Sequence, residues 1–382
     1  MEFNVRIFQC APKVPLGELL QEADEINSKG LDLPFYGVNK DKEFMPTIAT
    51  TKGLNSKKYK IIRKGKLVFS GMQTGRDKCI RFALYQNSEP VLLSPAYTLL
   101  EVKDTEKVLP EYIYLYFLSS ERDRLGAFYS DASVRANLDL YRFFQIEIPL
   151  PSIDVQKQYV NAYRSLQKLA EQNEALAAPL KNACMSFMAH LRNKYDLQNL
   201  GKYITQNNEK NSSLEYGVNH LQGVTSNSVF DYSKAKTEGL KFDNYKVVYK
   251  NNFAYNPSRI NLGSIALRDD SPCIISPMYV VFQLNDDGEK KIIPQFLLLW
   301  FRRDEFKRST LFFASGSVRD TFDFKEMERV EIPLPPIEVQ RSIVALYNCA
   351  EEARAIAREA REQLKKMAPA MVQRAANTPQ EV

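Results

Sequence analysis

The sequence predicts an α+β protein assembled as an internal pseudo-two-fold repeat: two mixed, β-rich domains with helices, each followed by a long helix. Three observations carry this. Residues 146–156 read IEIPLPSIDVQ and residues 330–340 read VEIPLPPIEVQ, identical at eight of eleven positions and offset by 184 in a chain of 382. Before each phrase, β-branched and aromatic runs are punctuated by turn residues, the pattern of strands. After each comes a segment whose apolar residues recur at spacings of three and four. The implied boundaries are 1–152 and 196–336 for the two variable domains, and 153–195 and 337–378 for the helices.

Each repeat is long enough to bury its own core. A content of 44% hydrophobic and 26% charged residues is that of an ordinary globular protein. No apolar run reaches the roughly 18 residues a membrane span needs. The N-terminus, MEFNVRIFQCAPK, lacks the basic region, apolar core and cleavage site of a secretory signal, so a cytoplasmic location is expected. The five cysteines (Cys10, Cys79, Cys184, Cys273, Cys349) are scattered and never spaced as CxxC, and only two histidines exist, His190 and His220. Reduced structural thiols are expected, with no metal site. A net charge of +6 is only a weak pointer to nucleic acid, because distribution matters more than the total.

The repeat extends well beyond the opening phrase. Leu16-Gly17-Glu18-Leu19 matches Leu200-Gly201-Lys202-Tyr203, and Tyr36-Gly37-Val38 is aligned with Tyr216-Gly217-Val218 by a four-residue slip. YKIIRKGKLVFS at 59–70 corresponds to YKVVYKNNFAYN at 245–256, each reading as two strands joined by a tight connection. LLSPAYTLLE at 92–101 and ISPMYVVFQ at 275–283 repeat a Ser-Pro ahead of a strand. Residues 108–135 align without a gap to 292–319, with Pro110 and Pro294 suited to the first turn of a helix and Ser-Val-Arg at the end of each block. The segments between these blocks differ, as expected when a shared scaffold carries different recognition loops.

In the second long helix Ile343, Leu346, Ala350, Ala353, Ala357, Ala360, Leu364, Met367 and Met371 define an apolar frame. The same frame in the first gives Tyr159, Ala162, Leu166, Leu169, Asn173, Leu176, Leu180, Ala183 and Phe187. Over about four heptads this is a coiled-coil seam, and each helix is the natural partner of the other. Asn173 either fixes register or is a tolerated polar residue. Pro179 and Pro369 are expected to bend or break their helices, since an interior proline costs ~3 kcal/mol.

With these blocks in order, the chain resembles the specificity (S) subunits of type I restriction-modification systems. The resemblance spans essentially the whole chain: the two Leu-Gly starts, the KxGxhhhS segment from Lys64 to Ser70, the Ser-Pro strands, and the IPLP-to-Gln motifs at 149–156 and 333–340. Each element alone is degenerate, whereas their ordered duplication is specific. It implies that the variable domains are target recognition domains, each reading half of a split site in double-stranded DNA. It also implies that the two helices pack antiparallel as a spacer and dock methyltransferase subunits, two of them, with restriction-translocase subunits completing the complex. No cofactor is implied. A helix of ~40 residues is ~60 Å long, more than one ~34 Å turn of DNA, and would act as a ruler between half-sites. This sequence departs from a strict repeat at Ser152, where the second copy has Pro336, and at Lys250-Asn251-Asn252, where the first has Lys64-Gly65-Lys66. Two other readings fit the residues: the recognition subunit of another restriction-methylation type, and a coiled-coil scaffold whose variable domains bind protein.

DNA-contact candidates follow from charge and side-chain chemistry. Lys52, Lys57, Lys58, Lys60, Arg63, Lys64, Lys66 and Arg76 fall in a stretch without an acidic residue, suited to phosphates or simply to a solvated loop. Ser70, Gln73, Thr74, Arg76 and Lys78 in the first unit, and Asn256, Ser258, Arg259 and Asn261 in the second, suit base edges; turn chemistry is the alternative. Tyr36, Asn39, Tyr216 and His220 are secondary candidates. Arg135 and Arg319 suit a phosphate, or an ion pair with Asp139 or Asp323 four residues on. Catalysis is not expected. Tyr255-Asn256-Pro257-Ser258 lacks the second proline and the aromatic of the adenine-methyltransferase tetrapeptide, no P-loop is present, and DDGEKK at 286–291 reads as a polar turn.

Overall fold

The structure is a computed structural model, and it describes residues 11–48, 50, 53–72, 74–131, 133–134, 136–232, 238–313 and 321–377. The chain forms two compact units, one running to Gln172 and resuming at Ile356, the other from Asn173 to Ala355. The long helices, Ile153–Lys194 and Ile337–Asn377, are therefore each shared, half in one unit and half in the other.

In the first unit the strands Leu20–Glu22, Thr98–Val102, Leu67–Ser70 and Arg81–Leu84 form, in that order, an antiparallel sheet. A second sheet has the order Phe44–Pro46, Phe35–Val38, Val91–Leu93, Lys60–Ile62, with Phe35–Val38 parallel to Val91–Leu93. The second unit repeats both. Its sheets run Ile204–Asn207, Val280–Leu284, Phe253–Tyr255, Ile265–Leu267 and Phe230–Tyr232, Leu221–Val224, Cys273–Ile275, Lys246–Val248.

The strand pairing corrects two expectations. The strands of YKIIRKGKLVFS do not form a hairpin: Lys60–Ile62 and Leu67–Ser70 lie in different sheets, and residues 63–66 carry the chain from one to the other. The crossing needs a left-handed residue, supplied by Gly65 (φ 86) and in the second unit by Asn251 (φ 67), the residue other than glycine that best tolerates this region. That accounts for the Lys-Asn-Asn departure. Secondly, the partner of Tyr36-Gly37-Val38 is Gln222-Gly223-Val224, each lying parallel to a Ser-Pro-bearing strand. Tyr216-Gly217 instead precedes a short 3₁₀ turn, Val218–His220.

The cores form where helices cover the first sheet of each unit. Leu67, Phe69, Phe82 and Leu100 pack on Tyr112, Ile113, Phe117 and Phe143, with Phe69 stacked on Phe143 at 4.1 Å. In the second unit Phe253 and Phe282 stack at 4.9 Å against Phe296, Leu297 and Phe301. Pro110 and Pro294 start the helices Pro110–Phe117 and Pro294–Phe301 as expected. DDGEKK is not a turn but a short helix, Asp286–Lys291. Asn285 caps it by accepting from the Gly288 N–H at 2.9 Å, with acids in the first turn and lysines in the last.

The duplicated phrase has a definite construction. Glu147–Pro149 pairs antiparallel with Lys13–Pro15, and Glu331–Pro333 with Leu197–Asn199; proline then ends the ladder because it has no N–H to donate. Seven residues past each of these prolines stands a fully buried glutamine. Gln156 Nε2 donates to the carbonyls of Lys107 (3.1 Å) and Pro151 (2.9 Å), and its Oε1 accepts from the Leu109 N–H at 3.0 Å. Gln340 repeats all three contacts, with Lys291 (2.7 Å), Pro335 (2.9 Å) and the Ile293 N–H (2.8 Å). Each glutamine thus ties the base of a long helix to the start of the Pro-initiated helix.

Within each unit the long helices run antiparallel. In the second, Cys184 and Met188 meet Ile343; in the first, Tyr163 and Arg361 line one cleft. The second helix buries Ile343, Ala350, Ala353, Ala357, Ala360 and Leu364 and half-buries Leu346; the side chains of Met367 and Met371 lie outside the described residues. The first helix differs from its predicted seam. It buries Val160, Ala170, Ala177, Cys184, Met188 and Leu191, and it half-buries Leu166, Asn173 and Leu180. Leu169 (42% exposed) and Leu176 (54%) face out, a correction with a steric cause: small side chains let helix axes approach closely, and bulky leucines are turned outward. The helices also continue through Pro179 and Pro369 without the expected break. Pro179 is exposed, so its ring sits on the solvent side. Among the described residues no helix is long and apolar enough to cross a membrane, and Cys79, Cys184, Cys273 and Cys349 are free thiols.

Candidate nucleic-acid interface

The basic run divides into a scaffold part and an open part. Lys60 Nζ donates to the Tyr97 carbonyl at 2.6 Å and pairs with Asp24 at 2.5 Å. Lys246 donates in the same way to Tyr279 at 2.7 Å. The lysine is thus a repeated strut from strand to Ser-Pro turn, and in Lys60 the charge is engaged within the protein. Arg63 holds Glu25 through two hydrogen bonds, 2.9 and 2.8 Å; the bond from Arg63 lowers the Glu25 pKa below the usual carboxylate value. Lys66 pairs with Glu101. The charge of all three is matched inside the protein, leaving Lys57, Lys58 and Lys64 exposed. Lys64 lies on the rim of a polar cleft of about 860 Å³ that also exposes Arg164, Lys168 and Arg361 to one space.

The loops after the central strands divide similarly. Ser70 and Thr74 are buried, and Thr74 Oγ1 donates to the Gly71 carbonyl at 3.0 Å to open the one-turn helix Thr74–Asp77. Asn256 is buried, its Oδ1 accepting from the Ser258 N–H at 3.0 Å. Thr74 and Asn256 are thus engaged in turn chemistry, and Ser70 ends a strand. Arg76, Lys78, Ser258 and Arg259 are exposed and Asn261 is half-exposed. Gln73, Lys52, Arg135 and Arg319 lie outside the described residues. Among the secondary candidates, Asn39 is spent on a turn, accepting from the Glu43 N–H at 2.9 Å, and Tyr216 meets His220 edge-on at 5.4 Å. Tyr36 is half-buried.

Each loop is braced by the segment that follows Ser-Val-Arg. The Gly75 N–H donates to the Ala136 carbonyl and the Leu138 N–H to the Gly71 carbonyl, both at 2.9 Å; Phe322 donates to Pro257 at 3.0 Å in the second unit. The contact at Gly71 is so close that a Cβ there would lie 1.6 Å from the Leu138 carbonyl oxygen. Asp131 folds the opposing loop by accepting from Ser133 Oγ (2.6 Å) and the Asn137 N–H (3.0 Å), leaving Val134 fully exposed. In the first unit two sequence-distant loops thus present one surface.

Sequence reasoning missed the buried glutamines, although their identical place in the duplicated phrase was a signal. The division of the basic run has a direct test. Lys57→Ala with Lys58→Ala should weaken duplex binding and flatten its salt dependence while leaving the melting temperature unchanged. Lys60→Ala should lower the melting temperature and leave the salt dependence alone. A reversed outcome would return Lys60 to the interface.

A type I restriction enzyme specificity subunit of Methanocaldococcus jannaschii, MjaX, is 21% identical over 337 residues, 81% of this chain and 76% of that one. The crystal structure of a type I restriction-modification S subunit from M. genitalium superimposes with a TM-score of 0.57 at 13% identity, covering 100% of this chain and 99% of that chain, and so shares the fold. The family described as the type I restriction modification DNA specificity domain matches twice, over residues 16–182 and 189–365. Two matches that together take in nearly every element described above leave one assignment: the chain belongs to the type I restriction-modification DNA specificity family.

Proposed function

We propose that this chain is the non-catalytic recognition subunit of a type I restriction-modification complex in the cytoplasm. Each unit reads one half of a bipartite site in duplex DNA. The observation that carries the reading is the duplicated pair of sheets, identical in strand order, whose loops differ between units at the same strand ends. A constant frame holding two different readers is what an asymmetric split site requires. The two helices set the distance between readers and dock two methyltransferase subunits, with restriction-translocase subunits joining them. The exposed Leu176 and Phe187 on the first long helix favour such docking, since large apolar side chains facing water are what a partner covers.

Methylome sequencing of cells carrying the complex should return a split motif, and a continuous motif would contradict two readers. Inserting one heptad into each long helix adds ~10 Å at 1.5 Å per residue. The unread gap should then lengthen by roughly three base pairs at 3.4 Å each, with both half-sites unchanged.

A further inference from the structure

We propose that the first unit carries a clamp for a backbone phosphate of duplex DNA, formed by Lys40, Arg76 and Arg81 around the carboxylate of Asp77. The proposal rests on the DNA-recognition reading and adds to it a positioning site in which Arg76, also a base-edge candidate, holds a phosphate. Asp77 ends the one-turn helix Thr74–Asp77, and its side chain is only 11% exposed. Arg76 Nε lies 3.3 Å from its Oδ1, and Arg81 Nη2 lies 3.0 Å from its Oδ2. Arg81 Nε is buried and has no hydrogen-bond partner in the protein. Cys79 Sγ, donating to the Lys40 carbonyl at 3.3 Å, brings the Asn39–Glu43 turn against the same loop. Lys78 stands beside them, exposed and in a left-handed conformation. Burial acts to raise the Asp77 pKa, but the hydrogen bond from Arg76, the charge of Lys40 and the bond from Arg81 together lower it.

Three cations, Arg76, Arg81 and Lys40, therefore act on one carboxylate. Of the acids nearby, Asp123 is already engaged by Lys42 at 2.8 Å and by the Ile80 N–H at 2.9 Å, while Asp41 and Glu43 share the Asn39–Glu43 turn with Lys40. Asp77 holds two guanidinium groups in a fixed orientation, and the remaining positive charge suits a singly charged phosphodiester. A base edge is a poorer match, because Arg81 is tethered and only 31% exposed and cannot extend into a groove. The site is not part of the duplicated frame. Where Arg81 faces Ser70, the second unit has Ser264 facing Asn256, its hydroxyl donating to the Val224 carbonyl at 2.9 Å.

The test uses the full chain with its methyltransferase partner and labelled duplexes carrying either the recognised site or one altered in the first half. Lys40→Ala changes an exposed side chain, so folding is preserved. It should weaken binding roughly tenfold, equally for both duplexes, and reduce the slope of log affinity against log salt by about one. Among duplexes carrying single neutral methylphosphonate linkages, one should weaken the unsubstituted complex and have no further effect on Lys40→Ala. An unchanged slope, or a loss confined to particular bases, would overturn the clamp. Inorganic phosphate offered alone probes the other source of the same anion: Lys40-dependent phosphate binding with duplex affinity untouched would remove the assignment to DNA. If the unsubstituted complex binds no duplex at all, the recognition reading itself fails, which is a separate result.

Discussion

Gln156→Leu should destabilise the first unit by about 3 kcal/mol or more, and Gln340→Leu should do the same to the second. Leucine is close in volume, so little of the loss comes from packing. It comes from two carbonyls, Lys107 and Pro151, and one N–H, Leu109, left unpaired in a place water does not reach. Each orphaned group costs about 1–3 kcal/mol. Gln156→Glu keeps the acceptor but sets a buried carboxylate against two carbonyl oxygens, so it should cost at least as much as Gln156→Leu. Urea unfolding followed separately in each unit, for example by amide exchange, would show the loss confined to the substituted one. A change below about 1 kcal/mol would mean that the glutamine is not the tie between helix base and recognition domain. The same substitution should blur half-site spacing before it alters base preference, because it loosens the direction in which the helix leaves.

Gly71→Ala should abolish discrimination at the first half-site while leaving the second intact. The added methyl would occupy the Leu138 carbonyl oxygen, 1.6 Å away, and backbone cannot yield as a side-chain tip does. The two loops must separate, at a cost on the order of 3 kcal/mol, and the hydrogen bonds from Leu138 to Gly71 and from Gly75 to Ala136 go with them. Arg76 and Lys78 then lose their fixed placement. Competition binding with duplexes mutated in one half or the other would read this directly. Retained discrimination at the first half-site would show that the braced loop pair is not the reader.

The fold was legible because duplication turns one degenerate phrase into a ruled pattern. Strands, Pro-initiated helices and both long helices could be placed by matching one half to the other. Sheet membership was not legible: alternating apolar residues in YKIIRKGKLVFS show that strands form, and nothing in them says that the two strands join different sheets. The match of Tyr36-Gly37-Val38 to Tyr216-Gly217-Val218 followed letter identity, whereas the true counterpart shares only glycine and valine and is fixed by its parallel neighbour. In the first long helix, large apolar residues drew the seam toward Leu169 and Leu176, while close packing selected Ala170 and Ala177 one position on. The interface was half legible for a related reason. Charge density marks a basic run, but Asp24, Glu25 and Glu101, which claim Lys60, Arg63 and Lys66, come from other strands and loops.

The division of the long helices between units has a consequence for how the protein is made. The second unit is one uninterrupted stretch, from Asn173 to Ala355, whereas the first needs the residues from Ile356 onward. On the ribosome, the domain that emerges first is therefore the last to be completed. Its helix, with Ala170 on the inner face, waits uncovered until the residues from Ile356 onward have been made. Chains that stop soon after Ala355 should thus carry a finished second reader and an unfinished first one, so that such a truncation would be felt in the domain made first.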